Sequence, residues 1–162
     1  MEKAIFVSAD GHAGIPPALV PEYLEPKFRD YLPALQTEHD MFSSSITLLN
    51  NLMLSPEACE VFDKDSAYRS GRWQGLWDSD VRLAEMDREG VAAEFVYHGD
   101  FRTADLGYNT MNASYPFDFV DAGVRAFDRW LADTFGHAND RFLLVGPSGT
   151  YTDMDATLAE VE

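Results

Sequence analysis

The chain has a single cysteine, Cys59, so it cannot close an internal disulfide and holds no paired-cysteine metal site. Positive charge is scarce as well: 12 Lys and Arg stand against 28 Asp and Glu, for a net charge of −16. A field of that sign repels both a nucleic-acid duplex and an anionic membrane surface, and no Lys/Arg-rich run offsets it. No apolar stretch approaches the roughly 18 residues of a membrane span. The apolar run at residues 4–9 is too short for the core of a secretory signal. Internal repeats and low-complexity tracts are absent. These absences point to a cytoplasmic protein with neither nucleic acid nor a membrane as partner, which leaves a small-molecule substrate open.

What is present suffices for a core: 46% of the 162 residues are apolar and 13% aromatic. Residues 4–9 form a β-rich apolar run, expected to be a buried strand ended by the breaker-rich Asp10-Gly11-His12-Ala13-Gly14. The stretch from Ile15 to about Trp77 holds most of the eight prolines, with weakly periodic helical patches near Pro17–Leu24 and Phe42–Met53. It is expected to be an inserted connection at the mouth of the fold. Its aromatic residues are expected chiefly to pack it against the rest.

Regular signals resume at Asp78. An N-cap at Asp78 or Ser79, the apolar set Val81, Leu83, Ala84 and Met86, and Gly90 at the C′ position predict a helix. A strand over Val91–Tyr97 follows it directly. Val120, Val124, Phe127, Leu131 and Phe135 share one face of a helix expected over Phe117–Gly136. A third strand is expected over Arg141–Gly146 and a third helix from Asp153 to Glu162. The β-α-β-α-β-α alternation predicts an α/β fold with a parallel sheet. Leu158 and Val161 keep helical register to the last residue without a stop signal, which suggests that the sequence is truncated.

Asp10 and His12 are two apart at the C-terminal end of the first strand. If that strand persists to His12, both side chains point to one face with Cα atoms about 6.5–7 Å apart, able to converge on one ion. The same spacing also suits an Asp that caps a turn beside a loop histidine. His98-Gly99-Asp100 ends the second strand, where His98 or Asp100 could bind substrate or support a metal ligand, or form an ordinary turn. Arg102 and Arg72 have the guanidinium geometry that clamps a carboxylate, and equally fit ordinary solvent-exposed arginines. His39 and His137 are assigned structural places, the latter near a helix C-terminus. Residues 146–150 lack the last Gly of a nucleophile elbow and the Lys of a phosphate loop, and read as a strand-to-helix connection.

Three blocks carry a family resemblance. Residues 8–14, Ser-Ala-Asp-Gly-His-Ala-Gly, resemble the opening of the amidohydrolase-2 family of metal-dependent hydrolases and decarboxylases. Residues 77–91, from Trp77 through Met86 to Val91, are similar to its segment in which a helix enters the second strand. Residues 126–131 followed by Asp140-Arg141-Phe142 are similar to its next helix and third strand. The resemblance implies a (β/α)8 barrel, of which residues 1–162 would supply about three βα units with residues 15–77 as the insertion. It implies a divalent metal, with Asp10 and His12 matching the first ligand pair. Asp here replaces the more usual His, which leaves Zn²⁺ and Mn²⁺ both open. Hydrolysis by metal-activated water is the first expectation, decarboxylation the second. A third is a non-catalytic fragment, since three strands cannot close a barrel and would need a homo-oligomer or a complementing C-terminal half.

Overall fold

In a computed structural model the described residues are 5–53, 57, 60, 72–99, 115–147 and 154–161. They form a mixed α/β arrangement around a three-stranded parallel sheet. The strands are β1 (Phe6–Ala13), β2 (Val91–His98) and β3 (Phe142–Val145), in spatial order β1-β2-β3. The α-helices with described bounds are α1 (Val20–Tyr23), α2 (Leu32–Met53), α3 (Ser79–Glu89), α4 (Phe117–Phe135) and α5 (Met154–Val161).

The helix signals were strongest where the termini carry their own chemistry. Asp78 caps α3 by accepting hydrogen bonds from the amides of Asp80 and Val81, both at 3.1 Å. Gly90 ends it in the left-handed region at φ 74°, where a Cβ would be penalised. α3 then delivers the chain straight into β2. α4 is buried over most of its circumference, through Phe119, Ala122, Val124, Phe127, Trp130, Leu131 and Phe135. Trp130 packs edge-on to Phe135, and Phe135 edge-on to Phe142 of β3, with centroids 5.9 and 5.2 Å apart. The Arg82 guanidinium of α3 lies 5.7 Å from the centroid of the Phe135 ring of α4, so both crossover helices cover the same side of the sheet.

Several expectations need correction. β1 does not stop at Ala9 but runs on through Asp10-Gly11-His12 to Ala13. Its first half is not buried: Phe6 is 65% exposed and Val7 is exposed too, because β1 is an edge of the sheet whose outer face the helices do not cover. The helix placed near Phe42 begins ten residues earlier, at Leu32, with Pro33 in its first turn, where a missing N–H costs nothing. On α3 the buried face is Ser79, Arg82 and Met86, while Ala84 is exposed. A charged residue thus sits where the apolar stripe was expected.

The first part of the insertion packs on α4. Val20, Leu24, Phe28 and Leu35 join the main core, and Tyr31 stacks on Phe119 at 4.5 Å. Polar clasps reinforce this contact: Arg125 donates to Glu25 at 2.6 Å and Arg129 donates to the Tyr23 carbonyl at 2.6 Å. The Arg125 hydrogen bond, which outweighs the opposing effect of burial, holds the Glu25 carboxyl below its ordinary value. Among the described residues no helix is long and apolar enough to cross a membrane.

Candidate functional site

The C-terminal ends of β1 and β2 bring the first two candidate residues together. In β1 the buried residues are Gly11 and Ala13, against the helix layer, while Asp10 and His12 are exposed. The Asp10 and His12 side chains therefore share the open side of the strand, with Asp10 Oδ1 3.4 Å from His12 Nε2. Asp10 is 94% exposed and His12 45%. The His12 ring lies near Tyr97, its partner across the ladder, with centroids 6.3 Å apart.

His12 Nδ1 lies 3.0 Å from the carbonyl oxygen of His98. A carbonyl only accepts, so this contact assigns the proton of the neutral ring to Nδ1 and leaves a lone pair on Nε2. That lone pair faces the Asp10 carboxylate. A metal ion is one cation that two such electron-pair donors could share. Two ligands about 2.1 Å from a tetrahedral ion stand about 3.4 Å apart, the separation seen here.

His98 reaches the site through its backbone. Its ring meets Phe127 of α4 edge-on at 6.3 Å, on the helix side of the sheet. Burial, and secondarily the neighbouring His12, push its imidazole below the ordinary value. Asp100 and Arg102 lie outside the described residues, as does the side chain of Arg72. Among the described residues, no three His, Cys, Asp or Glu side chains converge in the way a complete metal site requires. The donor set fits a divalent ion in kind and spacing, and would supply two of its ligands.

Two residues beneath the pair escaped the sequence reading. Arg82 and Glu94 form an ion pair at 2.6 Å, with side chains only 10% and 12% exposed. Arg82 Nη1 also donates to the carbonyls of His12 at 2.7 Å and Gly75 at 3.2 Å, and the Ser8 hydroxyl donates to Glu94 Oε1 at 3.0 Å. The signal was available: Glu94 interrupts an otherwise apolar strand, and Arg82 is four residues before the core residue Met86 on one helical face.

No family model, curated protein or solved structure matches the chain.

Proposed function

We propose that this protein is a metal-dependent hydrolase of the amidohydrolase type, acting on a small organic substrate. Its three described strands would be the first three of a (β/α)8 barrel. Asp10 and His12 would hold a divalent ion at the C-terminal mouth, Asp10 through a carboxylate oxygen and His12 through Nε2. The observation that carries this reading is the Nε2–Oδ1 spacing of 3.4 Å, with the other ring nitrogen already committed to the His98 carbonyl. That second contact matters because a ligating imidazole whose outer N–H is fixed is held in one tautomer and one orientation. The sequential parallel order β1-β2-β3, with both crossover helices on one side, also suits a barrel wall.

A bound Zn²⁺ or Mn²⁺ would supply Lewis acidity toward a carbonyl-type group and lower the pKa of water. The chain's own contribution is positional. Asp10 brings negative charge to the site, and His12 brings a directed lone pair held by a backbone carbonyl. Tyr97 flanks the His12 ring on the same face.

The direct test is calorimetric titration of chelator-stripped protein with Zn²⁺ and with Mn²⁺. About one ion should bind per chain, and Asp10→Ala or His12→Ala should each abolish binding, while His39→Ala and His137→Ala leave it intact. Binding that survives both site substitutions, or a stripped wild type that takes up neither metal, sinks the proposal.

A further inference from the structure

The pairing of β1 with β2 contains an irregularity just ahead of the metal-ligand pair. Ser8 stands opposite Glu94, but the next paired residues are Gly11 and Val96. β1 therefore spends three residues where β2 spends two, a β-bulge over Ala9 and Asp10. Such a bulge reverses which face each following residue takes. Ser8 points to the helix side, where its hydroxyl meets Glu94. Unbroken alternation from Ser8 would turn Asp10 and His12 to that side too, into the helix layer. With the bulge, Gly11 and Ala13 take the buried positions, and Asp10 and His12 face outward.

The groups that bracket this bulge are joined to one another. On its N-terminal side Ser8 donates to Glu94 Oε1, and on its C-terminal side Arg82 donates to the His12 carbonyl. The Arg82–Glu94 ion pair closes the bracket. Gly11 makes room for it, since a Cβ there would stand 2.4 Å from Glu94 Oε1 and 2.6 Å from Arg82 Nη2.

We propose that Arg82 and Glu94, with Ser8 and the vacant side-chain position of Gly11, form a clamp that fixes the β1 bulge and so turns Asp10 and His12 toward the same face. Arg82 and Glu94 are positioning residues: they touch the ligand pair only through the β1 backbone and the Ser8 hydroxyl. Their functional value rests on the metal-site reading, but the clamp itself is a property of the metal-free chain.

The test pairs a register measurement with a metal titration. In wild-type protein without metal, cross-strand nuclear Overhauser contacts should join Gly11 to Val96. If Asp10 stands opposite Val96 instead, the proposal is overturned, whatever the variants do. In the double variant Arg82→Met/Glu94→Leu, which strands no buried charge, the Gly11–Val96 contacts should be lost and metal affinity should fall roughly ten- to a hundredfold. Retained register in the folded variant overturns the clamp. As a control, Val124→Ala loosens the core away from the clamp and should leave affinity unchanged; an equal loss there would reduce the effect to general destabilisation and overturn the positioning role. A wild type that shows the bulge but binds no metal would remove the functional reading and leave the clamp standing.

Discussion

Arg82 and Glu94 are nearly buried charges in contact at 2.6 Å, and each has further partners: two carbonyls for Arg82 and a hydroxyl for Glu94. Removing one member leaves the other nearly buried without its counter-charge, whereas removing both eliminates the desolvation cost with the attraction. Glu94→Leu alone should therefore destabilise the protein by about 3–5 kcal/mol, and Arg82→Met/Glu94→Leu by much less, or not at all. Urea unfolding of the two variants beside wild type measures the difference. At this scale the sequence was only partly legible. Spacing and residue type made Asp10 and His12 candidates without separating them from an ordinary turn, and the structure brings their side chains within 3.4 Å. What spacing could not supply was the parity of the strand, because a bulge depends on what lies across the ladder. Nor could it pair Arg82 with Glu94, whose connection is tertiary.

The elements with explicit terminal chemistry were the easiest to foresee, and α3 is the clearest. Its N-cap at Asp78 and its left-handed Gly90 are residue types chosen by backbone geometry, so they are visible in the chain before any packing is known. Asp78→Ala should cost about 1 kcal/mol through loss of the carboxylate oxygen that accepts from two amides, and Gly90→Ala about 1–2 kcal/mol through the Cβ penalty at positive φ. The two sites are about 18 Å apart along the helix, so the double variant should show the sum in denaturant unfolding. A marked departure from additivity would mean that the helix ends communicate through the core. α2 was harder to see. Its apolar residues follow no sustained helical stripe, and its early start at Leu32 goes with the packing of Tyr31 and Leu35 on the core. β1 failed differently: its apolar run suggested burial, yet an edge position leaves Phe6 exposed.

On the scale of the whole molecule, the insertion and α4 are fastened by the Arg125–Glu25 pair, one hundred residues apart in the chain. Glu25 is held below its ordinary value of 4.5, so its ionised form favours the folded state. That contribution is complete above 4.5 and fades as the pH drops through the lowered value. Arg125→Met should accordingly be less stable than wild type near neutrality, by under about 1 kcal/mol for a partly exposed pair, with the gap closing in acid. Denaturant unfolding of both proteins from pH 7 to 3 tests this, and a gap that widens on acidification contradicts it. The α/β class and the parallel strands were evident from the alternation of patterns, since each helix and strand there announces itself locally. The route of the insertion over α4 was not, because its contacts join residues far apart in sequence. The same remoteness bears on assembly. β2 meets β3 by pairing Glu94 with Phe142, whereas β1 must wait for Val91 to find Phe6. Closing the longer loop adds only about 0.5 kcal/mol of chain entropy, too little to weaken the native state. It bears on rate, since non-local pairings form slowly. The segment from α3 to β3 should condense first, with β1 captured after β2 and β3 have paired. The histidine and aspartate would arrive with it, so that the pair would assemble only as folding ends.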